Sequence, residues 1–135
     1  RLDEMQAAVL SVKLKRLDAD NERRREIAEK YNAVIKNPSI TLPLIENREE
    51  HVFHIYPIFC AERERLQQHL LENSIETLIH YPIPPHKQEA LKEFNNHEHP
   101  ITERIHREEL SLPCHQAMSD CEVEKVIEAV NSFKA

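Results

Sequence analysis

The chain has no glycine in 135 residues. An average usage of about 7% would supply on the order of nine, so the absence excludes every phosphate cradle that needs a bare backbone. There is no Walker loop, no G-x-G-x-x-G turn and no G-x-S-x-G nucleophile elbow. Cysteine is scarce and odd in number: Cys60, Cys114 and Cys121, with no C-x-x-C pair, give little support for a disulfide framework or a zinc ribbon. Positive charge is in deficit, with 18 basic against 24 acidic side chains and a net charge of −6. The one arginine run, Arg23-Arg24-Arg25, sits among glutamates, so there is no basic face for nucleic acid. Apolar runs last only a few residues, too short for a bilayer, and no charged-then-apolar leader opens the chain; the expected compartment is the cytoplasm. The opening at Arg1, without methionine and inside a helical pattern, reads as a piece of something longer.

What is present fits one domain with one core. Residues 2–36 carry a helical period. Leu2, Met5, Ala8, Val9 and Val12 fall on one arc while Ala7, Leu10, Leu14 and Leu17 fall on a nearly opposite one. After Asp18 a single stripe remains, Ile27, Tyr31, Val34 and Ile35, with Asp20/Arg24 and Glu26/Lys30 at i,i+4 spacing. A helix apolar on two faces and then on one is expected to pack between bodies at its start and on its own domain at its end. Asn37-Pro38 stops it. Strands are expected at Ile40–Leu44, at His51–Cys60 with a bulge or an unpaired side at Pro57, and at Ile75–His80; a helix is expected over 62–73. Short helices near 87–94 and 101–108 precede a strand at Leu110–Leu112. Ser119 and Glu122 form an S-x-x-E capping box with Met118 and Val123 as its staple, opening a helix striped by Val123, Val126, Ile127 and Val130. The order indicates an α+β fold, a small and mainly antiparallel sheet packed with helices.

Nine histidines raise the question of a metal. The pairs His51/His54, His97/His99 and His80/His86 lack an H-E-x-x-H frame, and no metal site is expected. His54 alternates with apolar strand residues and reads as a core histidine. Cys114-His115 is not expected to act as a thiol and its base, because sequence neighbours rarely face each other, and no lysine sits in a context that marks a Schiff-base former. The segment Tyr81–His86, Y-P-I-P-P-H, is stiffened by three prolines. With His80 it gathers two imidazoles and a phenol, a site able to engage hydroxyls or phosphates, or else only a rigid turn.

Four ordered blocks carry a resemblance. R-L-D-E-M-Q-A-A-V-L, N-E-R-R-R-E-I-A-E-K-Y-N, I-E-T-L-I-H-Y-P-I-P-P-H, and E-L-S-L-P-C-H followed by an E-V-E-K-V-I helix resemble the C-terminal part of the DegT-type nucleotide-sugar aminotransferases, from Arg1 to about Phe133. The resemblance implies the small C-terminal domain, residues 1–135, of a fold-type-I pyridoxal-phosphate enzyme. Such an enzyme is usually a homodimer and moves an amino group from glutamate to a nucleotide-linked keto sugar, here for polysaccharide or glycoconjugate synthesis. It also implies that the cofactor lysine and the other cofactor-binding groups lie upstream. No residue of this chain is then catalytic or cofactor-binding, and the chain alone is expected to be inactive and to hold no pyridoxal phosphate. In the family's N-S-R motif only the arginine remains, as Arg1, a candidate for substrate contact in the partner's active site. His80, Tyr81 and His86 match substrate-pocket positions. Residues 1–36 would pack on the large domain and the dimer mate. Ser74 departs from the pattern, standing where many relatives carry glycine. The rival implied within the fold is a pyridoxamine-phosphate sugar dehydratase; from another class, the rival is a non-catalytic dimerising module. Neither nucleic acid nor membrane is an expected partner.

Overall fold

A computed structural model of the protein describes residues 3–135, so the expectations placed on Arg1 and Leu2 lie outside the described residues. Helix α1 runs Glu4–Leu14 and is capped by Asp3, whose carboxylate accepts from the Met5 backbone N–H at 2.9 Å. Helix α2 runs Leu17–Val34. The single helix expected over 2–36 is therefore two. The break at Lys15–Arg16 carries no glycine or proline; Arg16 N–H bonds back only three residues, to Lys13 O, and Asp20 N–H to Arg16 O restarts the α ladder. It falls where the apolar pattern changes from two faces to one.

α1 buries none of its residues. Met5 is 79% exposed and Val12 66%, and Val9, Leu10 and Leu14 are exposed as well. α2 instead seats Ile27, Ala28 and Tyr31 in the core. The expected pairs Asp20/Arg24 and Glu26/Lys30 do not form. Asp20 pairs instead with Arg16 at 3.6 Å and Glu26 with Arg23 at 3.2 Å, while Arg24 turns to Gln116 and Lys30 to Glu124 of helix α5, Asp120–Ser132, at 2.9 Å; Arg23 also reaches Asp120 of α5 at 2.7 Å.

Strands β1, Tyr56–Phe59, and β2, Glu109–Leu112, pair antiparallel with Tyr56 opposite Leu112 and Phe59 opposite Glu109. The strands expected at Ile40–Leu44 and Ile75–His80 shrink to single antiparallel bridges, Thr41 with Phe59 and Leu78 with Ser111. The spatial order is thus Thr41, β1, β2, Leu78. Phe53, buried with φ 45°, interrupts the expected run from His51, leaving only its second half as strand. His54 is exposed rather than a core histidine. Pro57 makes no bulge: Phe59 N–H points to Thr41 O, so the proline nitrogen two residues earlier faces the same side, where Thr41 is the one bridge.

Helix α3, Arg63–Glu72, and helix α4, Pro100–Glu108, complete the set; residues 85–87 and 89–94 form 3₁₀ turns. Tyr56, Ile58, Leu110 and Leu112 on one sheet face join Ile27 and Tyr31 of α2, Leu66 and Leu70 of α3, and Val123, Val126 and Val130 of α5 in one buried core. The Ser119–Glu122 capping box forms as expected, and Met118 and Val123 are both buried. The Ser119 backbone N–H, then its hydroxyl, hold the Glu122 carboxyl below its ordinary value of 4.5. A depressed carboxylate contributes stability fully above that ordinary value and loses it as pH falls through the folded one. The urea midpoint of Glu122→Ala should therefore trail wild type at pH 6 and converge on it toward pH 3; a gap independent of pH would refute the cap's role.

The turn after α3 tests the missing glycine. Asn73 keeps a negative φ of −85°, and Ser74 takes the left-handed conformation at φ 60°. Ser74 N–H bonds Leu71 O and Ile75 N–H bonds Leu70 O, closing the helix C-terminus. A Cβ in this region costs roughly 1–2 kcal/mol, partly offset by the looser unfolded chain that glycine allows. Ser74→Gly is accordingly expected to raise stability by about 0.5–1 kcal/mol in urea unfolding.

Candidate functional site

The strand β2 reads E-L-S-L, and alternation puts Leu110 and Leu112 in the core and Glu109 and Ser111 on the opposite face, across from Phe59 and Pro57. Both polar side chains are nevertheless buried, at 4% and 6% exposure. The segment that bridges Ser111 at Leu78 delivers His80 to both of them. Glu109 Oε2 accepts the His80 backbone N–H at 2.7 Å, Glu109 Oε1 accepts the Ser111 hydroxyl at 2.5 Å, and Ser111 Oγ lies 2.9 Å from His80 Nδ1. Burying a carboxylate is costly unless it is hydrogen-bonded, and both oxygens here are.

His80 is half-buried and Tyr81 is 67% exposed, their rings edge to face at 5.7 Å; the peptide between them is cis. His106 of α4 bonds the Tyr81 carbonyl through Nδ1, so the start of the proline loop is held from two elements. His86 behaves differently. Its ring is buried, its Nε2 sits 2.9 Å from Glu103 Oε1 of α4, and it packs edge to face on His99 at 4.8 Å. The His86 ring, and after it the His99 backbone N–H, hold the Glu103 carboxyl below the usual carboxylate range. Of the three loop residues the structure thus brings His80 and Tyr81 together and turns His86 toward α4. Arg1 lies outside the described residues.

His80 and Ser111 open onto a cleft of about 1110 Å³, bounded by α3, residues 74–80, the stretch Pro113–His115 and the first turns of α5. Cys114 borders it but is buried, its thiol 3.7 Å from the Arg24 carbonyl and pushed up to about 11 by burial. It is a protonated thiol near neutrality rather than a nucleophile. Among the described residues no group of three His, Cys, Asp or Glu side chains is placed to hold a metal, and no helix is long and apolar enough to cross a membrane. The cleft holds one lysine, Lys125, which is exposed, and the Ser119–Glu122 box occupies the start of α5 beside it.

Sequence reasoning missed Glu109 and Ser111. A polar residue at every second strand position reads as a solvent face, and only the position of His80 in space reveals a buried network.

A model of the DegT/DnrJ/EryC1/StrS aminotransferase family matches residues 1–131. The chain is 54% identical over 133 residues to a dTDP-3-amino-3,6-dideoxy-alpha-D-galactopyranose transaminase of Aneurinibacillus thermoaerophilus, covering 98% of this chain and 37% of that protein. It is 36% identical to a dTDP-3-amino-3,4,6-trideoxy-alpha-D-glucose transaminase of Streptomyces venezuelae, over 98% of this chain and 36% of that one. Among solved structures it resembles a DegT DnrJ EryC1 StrS aminotransferase from Brucella abortus, with TM-score 0.90 and 32% identity over 98% of this chain and 36% of that chain. The chain spans little more than a third of the length of these relatives.

Proposed function

Because the chain belongs to the DegT/DnrJ/EryC1/StrS aminotransferase family, we propose that it serves as the small C-terminal domain of a pyridoxal-phosphate aminotransferase that moves an amino group from glutamate to a nucleotide-linked keto sugar. The supporting observation is the 54% identity to a dTDP-sugar transaminase across nearly the whole chain. Pyridoxal phosphate would supply the electron sink for amino transfer, and the residues that hold it belong to the remainder of the protein. This chain contributes recognition. His80 and Tyr81 contact the sugar, His86 anchors the proline loop that carries them, and Arg1 reaches substrate in the partner's active site of a homodimer. The exposed apolar side chains of α1 pack against the large domain and the dimer mate, which accounts for a helix without a buried residue of its own.

A graft tests this. With this chain replacing the corresponding third of the Aneurinibacillus enzyme, the hybrid should aminate that enzyme's keto sugar, while the 135-residue chain mixed with pyridoxal phosphate, glutamate and the same sugar should yield no product. A soluble, cofactor-loaded hybrid without turnover, or turnover by the chain alone, would overturn the reading.

A further inference from the structure

A neutral histidine ring carries one proton, and its neighbours decide on which nitrogen it sits. An ionised carboxylate only accepts, so with Glu109 Oε1 at 2.5 Å the single Ser111 hydroxyl proton points to Glu109. Ser111 Oγ then has only lone pairs left for His80 Nδ1 at 2.9 Å, and Nδ1 must be the protonated nitrogen. Among the described residues no protein group bonds His80 Nε2, and the ring borders the cleft. We infer that Glu109 and Ser111 are positioning residues that fix His80 as the Nδ1–H tautomer, so that Nε2 presents a lone pair to the cleft and accepts a hydrogen bond from a sugar hydroxyl. This rests on the nucleotide-sugar reading of the site and narrows it. Phosphate oxygens at neutral pH are acceptors, and a lone pair facing them gains nothing, whereas a hydroxyl donates. His80 therefore reads the sugar and not the diphosphate.

The backbone contact adds geometry to protonation. Glu109 Oε2 holds the His80 N–H at 2.7 Å while Oε1 steers the side chain through Ser111, so one buried carboxylate sets both the backbone position and the ring. Such a support restricts the ring to one pose without touching the ligand.

Long-range 1H–15N correlation spectra of the ¹⁵N-labelled protein, taken at a pH where the ring is neutral, read the tautomer directly. Wild type should show His80 protonated at Nδ1 and bare at Nε2. Ser111→Ala should shift the population toward Nε2–H several-fold, and Ser111→Thr, which keeps the hydroxyl, should restore the wild-type pattern. An Nε2–H majority in ligand-free wild type, which needs no variant to fold, overturns this inference and leaves the proposed function standing. Addition of dTDP-glucose should move the His80 ring nitrogens, and dTDP alone should not. Equal shifts with dTDP alone overturn the hydroxyl assignment, and a ring unmoved by either ligand overturns the proposed role of this site along with the inference.

Discussion

Tyr31→Ala is expected to destabilise the protein by about 3–5 kcal/mol, the range for removing a large buried aromatic side chain. A domain of this size has roughly 5–15 kcal/mol in total, so the variant should be largely unfolded or melt tens of degrees early. The effect is large because Tyr31 holds three parts of the core at once. It is fully buried on α2, its ring meets Tyr56 of β1 edge to face at 5.0 Å, and its hydroxyl donates to Pro113 O at 2.8 Å, just beyond β2. Truncation opens a cavity between helix and sheet and leaves the Pro113 carbonyl without its partner. Tyr31→Phe separates the two contributions: it keeps the packing and loses one hydrogen bond, for about 1–3 kcal/mol. Urea unfolding followed by circular dichroism measures both, and a loss below about 1 kcal/mol for the alanine variant would show that α2 is not the keystone described here.

Asn37→Ala should cost about 2–3 kcal/mol for a side chain of modest size. Asn37 is buried, and its amide donates to the carbonyls of Val130 and Phe133, both at 2.8 Å, while its oxygen accepts the Ser39 N–H at 3.0 Å. The last carbonyls of a helix have no partners within it, and here that of Val130 in α5, with that of Phe133 just past its end, is satisfied by a residue almost a hundred positions away. Asn131 returns the service, donating to Val34 O at 3.1 Å and accepting Lys36 N–H at 2.8 Å, so the ends of α2 and α5 cap each other. Asn37→Asp distinguishes hydrogen bonding from shape: it preserves size but sets a carboxylate against two carbonyls, and should be at least as damaging as alanine. If Asn37→Asp matched wild type in urea, the reciprocal capping would carry no weight.

Local chemistry was legible from the chain, and its partners in space were not. The Ser119–Glu122 box, the helix over 62–73 and the strand before Pro113 each rest on neighbouring residues, and each forms, whereas the helix expected to run to Asn37-Pro38 ends at Val34, with Ile35 already extended. The break at Arg16 was hidden because no residue there disfavours helix. The segments that bridge at Thr41 and Leu78 read as strands in the sequence, since β-branched and apolar residues mark an extended chain whether or not a ladder follows. The two expected i,i+4 pairs of α2 lost to other partners, Asp20 to Arg16 and Glu26 to Arg23 close by in the chain, Arg24 to Gln116 and Lys30 to Glu124 from far along it, a choice that spacing alone does not make. At the site, His80 and Tyr81 were visible through the prolines that stiffen their loop, whereas His86 shares that motif but packs on Glu103. Glu109 and Ser111, which organise His80, looked like an ordinary polar strand face.

Pro57 has a consequence for how copies of this protein meet. A two-stranded ribbon flanked by single bridges has rims along which a foreign strand could zip, turning soluble molecules into stacked aggregates. On the Thr41 side that zipper lacks a tooth, because the imino ring offers no hydrogen to an incoming carbonyl. The same ring that shortens the ladder within one molecule thereby discourages its growth from one molecule to the next.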